Sequence, residues 1–147
     1  MPTFVFSSVM PARVERVFAF HEAPDALERL TPPWQPARVL RKDDGLQVGA
    51  RVELLVPLGP FQTTWRARHT HYEKNQLFID VQDSGPFRRW VHRHEFEAID
   101  ANSSRLTDRI EFSLPGGALV DLFGGWFAKI QLRRMFAYRH EVTRLLV

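Results

Sequence analysis

The chain has 147 residues, 44% of them hydrophobic and 25% charged, with a formal net charge of +3. It is long enough to bury a core, and this balance is that of an ordinary soluble globular protein rather than a disordered chain. The absence of cysteine excludes a disulfide scaffold, a thiolate zinc site and a cysteine nucleophile.

In chain order, "TFVFSSV" (3–9) reads as a strand, rich in β-branched and aromatic residues. Pro11 suits the first turn of a helix on which Val14, Val17 and Phe18 recur at helical spacing. A second short helix begins at Pro24-Asp25, carries Leu27 and Leu30, and is ended by the prolines of "TPPWQP" (31–36). From about Ala37 to Leu114 the pattern is strands divided by "DDG", "LGP", "EKN", "DSGP" and "DANSS". Connections this short make consecutive strands antiparallel. After "PGG" (115–117) a long helical segment runs to the C-terminus, and Gly124-Gly125 are expected to kink or split it. On it Leu132, Met135, Phe136, Val142, Leu145 and Leu146 form an apolar stripe, with Lys129, Arg133, His140 and Arg144 towards the other side. No internal repeat or linker divides the chain, so residues 1–147 are expected to form one domain. Neither a signal peptide nor a bilayer-spanning run is legible, which makes the cytoplasm the expected location.

Alternation assigns the strand faces. Leu106, Asp108, Ile110, Phe112 and Leu114 share one side. So do Phe61, Thr63, Trp65, Ala67, His69 and His71, and so do Trp90, His92, His94 and Phe96. The opposite sides carry Arg66, Arg68, Arg93, Glu95, Arg109 and Glu111, spaced for cross-strand pairing towards water. Because acids are interspersed among these basic residues, no one-signed nucleic-acid surface is expected.

The order of elements, with "FVFSSVMPARVERVFAF" (4–20), "TPPW", "W-x-A-x-H-x-H-Y" (65–72), the "GPF…W-x-H-x-H-x-F" stretch ending at Phe96 and the "LPGG" break, resembles the START-like (SRPBCC) superfamily. Its start is similar to the polyketide cyclase/dehydrase and coenzyme-Q-binding branch. The "GPF…W-x-H-x-H-x-F" stretch is similar to a bacterial subgroup of small stand-alone domains. The resemblance implies an α+β helix-grip fold. A curved antiparallel sheet of six to seven strands would wrap around a long C-terminal helix, with two short helices after the first strand. It also implies a cavity for a hydrophobic or aromatic small molecule (lipid, quinone or polyketide-like) between sheet and helix.

The expected ligand-binding lining is Trp65, His69, Phe78, Trp90, Phe96, Ile110, Phe112, Trp126, Phe127 and Ile130, an apolar wall with few polar groups. His92 and His94 with Asp80 and Asp108 are the candidate acid–base residues of a cyclase or dehydratase. Two His-x-His pairs, 69/71 and 92/94, raise the question of a metal. The strand 77–82 lies between them and separates the pairs by about 10 Å, so no metal and no cofactor are expected. Three readings stay open: a non-catalytic carrier, an enzyme, or a protein-interaction module with a filled interior. A peripheral membrane contact through the basic C-terminal helix is a further option.

Overall fold

The computed structural model describes residues 2–147. Strand β1 (Thr3–Met10) is followed by helices α1 (Val14–Glu22) and α2 (Ala26–Leu30). The strands β2 (Arg38–Lys42), β3 (Arg51–Leu58), β4 (Phe61–Glu73), β5 (Leu77–Ser84), β6 (Arg89–Asp100) and β7 (Ser103–Ser113) come next, then helix α3 (Ala118–Leu146). All seven strands form one antiparallel sheet in the order β1-β7-β6-β5-β4-β3-β2. The meander from β2 to β7 follows from its short turns, and β1 closes on β7 from the far end of the sequence.

Two apolar clusters fill the helix-covered side. One joins α1 to the sheet through Val17, Phe18, Phe78, Phe96 and Leu106. The other joins α3 to β1, β6 and β7 through Phe4, Trp90, Ile110, Phe112, Leu132 and Phe136. The outer face carries ion pairs: Glu95 accepts from Arg109 on β7 at 3.2 Å, Arg66 reaches Glu53 at 3.0 Å, and Arg68 reaches Asp83 at 3.0 Å.

Three readings of the sequence are corrected by the packing. α3 is one unbroken helix across Gly124-Gly125. The missing side chains there are a matter of space: a Cβ on Gly124 would lie 2.8 Å from Leu114, and one on Gly125 3.1 Å from Pro2. His71 is exposed, because a register shift between His69 and His71 slips the alternation by one. Tyr72 turns inward in its place, edge-on to Phe18, and its hydroxyl donates to Glu22 at 2.6 Å. Finally, Trp126, Phe127 and Ile130 do not line an interior. They are 69%, 59% and 41% exposed, because α3 turns the face of Gly125, Leu132, Phe136, His140 and Thr143 towards the sheet.

Candidate functional site

Pairing register brings the ionisable residues together. Asp80 on β5 lies opposite His92 on β6, and His94 lies opposite both Phe78 on β5 and Asp108 on β7. The shortest hydrogen bonds run diagonally across these pairs. His92 Nε2 donates to Asp108 Oδ1 at 2.7 Å, and His94 Nε2 donates to Asp80 Oδ2 at 2.7 Å. His94 Nδ1 also lies 3.2 Å from Asp108 Oδ1. The two imidazoles stack on each other with centroids 3.6 Å apart, and His94 stacks on Phe78 at 3.8 Å. The edge of His92 meets Phe136 of α3. A polar seam therefore runs between the two apolar clusters.

Helix α3 completes the seam with a residue that sequence reasoning put on the wrong side. His140 is 4% exposed. Its Nε2 donates to Asp108 Oδ2 at 2.6 Å and its Nδ1 accepts from the Ser8 hydroxyl at 2.7 Å. The signal was present: His140 follows Phe136 by four residues and Leu132 by eight, the spacing of one helical face. Hydroxyl, imidazole and carboxylate follow one another as in a nucleophile triad. Ser8, however, sits mid-strand beneath α3, with no strand–helix elbow to present it, so it acts as a tether for His140. His21 and Arg139 also border the seam, and neither was singled out from the sequence.

Burial and pairing divide the charges. Burial alone would raise the Asp80 carboxyl, but hydrogen bonding to His94 and the nearby imidazoles hold it at about 2. Asp108 is likewise driven well below the usual carboxylate range by His140, His92 and His94, against the opposing effect of burial. Burial pushes His92 down, helped by the neighbouring His94. Burial opposes protonation of His94 as well, yet its bonds to Asp108 and Asp80 raise it above its ordinary value. The arrangement fits an imidazolium at 94 and a neutral imidazole at 92, so that His94 and Arg139 balance two carboxylates. His21 is lowered to about 4, chiefly by burial.

Between these groups lies a cavity of about 20 Å³ lined by His21, His94, Asp108, Phe136, Arg139 and His140 among others. That is room for one water. The buried Nε of Arg139 has no hydrogen-bond partner among the described residues. Asp80, His92 and His94 also present ligand atoms within 4.8 Å of one another, a spacing that would suit a small cation. In the fold the same atoms face each other as hydrogen-bond partners or close neighbours, and His71, from the second His-x-His pair, is turned away.

Of the ten expected lining residues, Trp90, Phe96, Ile110, Phe112, Phe78 and His69 are buried. Trp65 is half-buried, edge-on to Trp90 at 4.8 Å. His69 stands one strand away, opposite Asp80, and its Nδ1 has no hydrogen-bond partner among the described residues.

The profile of the family described as "Polyketide cyclase / dehydrase and lipid transport" matches residues 10–137. The chain belongs to this family. Among curated proteins none matches. Solved structures share the fold. The aromatase/cyclase Zhui from Streptomyces sp. R1128 superposes with a TM-score of 0.69 at 12% identity, over 99% of this chain and 95% of that one. A START superfamily protein from Mycobacterium smegmatis gives 0.66 at 14% identity, over 99% of each chain. A nucleoside-diphosphate sugar epimerase from Corynebacterium glutamicum gives 0.73 at 26% identity, over 95% of this chain but 28% of that protein. The α+β helix-grip architecture expected of this polyketide cyclase/dehydrase family member is thereby established.

Proposed function

We propose that the protein binds a hydrophobic or aromatic small molecule between the sheet and α3, with His92, His94, Asp80 and Asp108 at the polar end of the pocket. The supporting observation is the buried seam itself: two carboxylates and three imidazoles set between two apolar clusters and bordered by Phe78, Trp90 and Phe136. Membership of a family with cyclase and lipid-transport members supports the same ligand class. The enclosed cavity admits one water and is covered by Phe136, Arg139, His140 and Thr143 of α3, so a larger ligand has to displace the helix, starting from its N-terminal half, which buries only Gly125 among the described residues. Gly116 and Gly117, both at positive φ, sit where such a hinge is needed.

The test is native mass spectrometry with organic extraction of the purified protein, followed by titration of whatever co-purifies. A stoichiometric hydrophobic ligand whose affinity falls about tenfold or more in Asp108→Asn supports the reading. A protein that carries none, and binds no lipid, quinone or polyketide offered to it, overturns it.

One observation favours a second reading, a cyclase- or dehydratase-type enzyme. Stacked imidazoles whose proton affinities are pushed in opposite directions supply an acid and a base side by side. Turnover of the ligand that is lost in His92→Gln and His94→Gln while binding persists would identify the enzyme; unchanged ligand chemistry in both leaves the carrier.

A further inference from the structure

We propose that the N-terminal half of α3 docks the protein onto an anionic lipid surface. At 3.6 residues per turn, Leu119, Leu122, Phe123, Trp126, Phe127 and Ile130 fall within an arc of about 140° on the side of α3 away from the sheet. All six are exposed, Phe123 and Leu119 each at 72%. A helix packed on a sheet ordinarily gives this arc to charged residues, and α3 itself largely does so further on, where the same arc carries Arg133, Arg134, Ala137, Glu141 and Arg144, with buried His140 at its edge and one large exposed apolar side chain, Leu145. A contiguous apolar arc is therefore a feature of the first three turns, with Leu145 isolated among charged residues at the far end.

Topology adds to it. The β3–β4 turn, the β5–β6 turn and the β7–α3 connection lie at one end of the sheet, as the pairs Leu58↔Phe61, Arg66↔Ser84 and Arg89↔Ser113 require. Leu58 and Phe61, exposed at the tip of the β3–β4 hairpin, thus project from the same end as the start of α3.

The charges around the arc select the partner. Lys129 and Arg133 on α3, and Arg88 and Arg89 at the β5–β6 turn, are exposed. The acids on the turns and helix of this end are already engaged: Asp83 by Arg68 at 3.0 Å, and Asp121 by the Ser113 hydroxyl and the Leu114 amide. Asp121 keeps its charge, because its donors are neutral, but one carboxylate stands against Lys129, Arg133, Arg88 and Arg89. Aromatic and aliphatic side chains ringed by such an excess of basic groups match the interface of a bilayer with anionic headgroups, where the rings enter the acyl boundary and the cations stay at phosphate level. This surface does not depend on any ligand in the interior.

Co-sedimentation with phosphatidylcholine vesicles, with and without phosphatidylglycerol, tests the assignment. The wild type is expected to pellet with the anionic vesicles and to be released by salt. Phe123→Ser with Trp126→Ser is expected to weaken partitioning about tenfold or more, and Lys129→Glu with Arg133→Glu to abolish the preference for phosphatidylglycerol. Because all four side chains are exposed, thermal melting should be unchanged in both variants. A wild type that stays in the supernatant with the anionic vesicles overturns the proposal. So does a dimer in sedimentation equilibrium that Phe123→Ser with Trp126→Ser turns into a monomer, which would make the occupant a second copy of the chain.

Discussion

Asp108 accepts from three imidazoles, His92 at 2.7 Å, His140 at 2.6 Å and His94 at 3.2 Å, on a side chain 6% exposed. Few substitutions isolate that role as cleanly as Asp108→Asn, which keeps the volume, removes the charge and turns one acceptor into a donor facing N–H groups. Removing one partner of a buried charge pair costs about 3–5 kcal/mol, so the midpoint of urea unfolding should fall by that equivalent at unchanged m-value. A loss below about 1 kcal/mol would show that the seam is hydrated and loosely held. How much of the seam was legible depended on the residue. His92, His94 and Asp108 could be placed because β6 and β7 alternate without interruption through that stretch. His71 could not, because one slipped residue in β4 inverts every side chain after it. His140 was misjudged on residue type: a histidine amid arginines reads as solvated, whereas its spacing from Phe136 already put it underneath.

Helix α3 is two different objects joined end to end. Its C-terminal half buries Leu132, Phe136, His140 and Thr143, while its N-terminal half buries only Gly125 among the described residues. Local opening is governed by buried apolar contact and not by helix length. Backbone amides of residues 118–130 are therefore expected to exchange about tenfold or more faster than those of 132–143 in hydrogen-exchange mass spectrometry. Bound ligand or vesicles should slow the first segment alone. Uniform protection along the helix would remove the hinge on which ligand access depends. From the sequence, the length and position of α3 were plain, but its rotation was not. Leu145 and Leu146 are exposed and Trp126, Phe127 and Ile130 point outward, because an apolar run wider than one face has no unique inward side. Contacts with β1, β7 and α2 settle the choice.

Across the whole molecule, the antiparallel meander from β2 to β7 followed from turn lengths, whereas the place of β1 beside β7 and the charge balance beneath α3 became visible only with register. That balance predicts how stability varies with pH. His21 is held at about 4 mainly by burial, with Asp108 pulling it up and His94 and His140 pushing it down. His69 and His92 are lowered by burial too. In the unfolded chain all three take up protons near about 6.5, while the folded protein resists, so falling pH favours unfolding by up to about 1.4 kcal/mol per unit for each group. His94 has the opposite sign: its raised affinity stabilises the fold fully below its ordinary value, and that contribution is lost as pH rises through the folded value. The Asp80 contribution, with the carboxyl at about 2, is complete above the ordinary carboxylate range of about 4 and is lost only as pH falls towards 2. Below about pH 6.5 His94 is protonated in both states and adds no slope, so the three lowered imidazoles act alone and the urea midpoint should drop as pH falls from about 6.5, with His21 contributing down to about 4. His21→Leu, placed against the rings of Phe78 and Phe96 that His21 now contacts, should flatten the drop by about one proton. Identical slopes in wild type and variant would mean that His21 titrates as freely as a surface histidine, and that water reaches the seam in the folded protein.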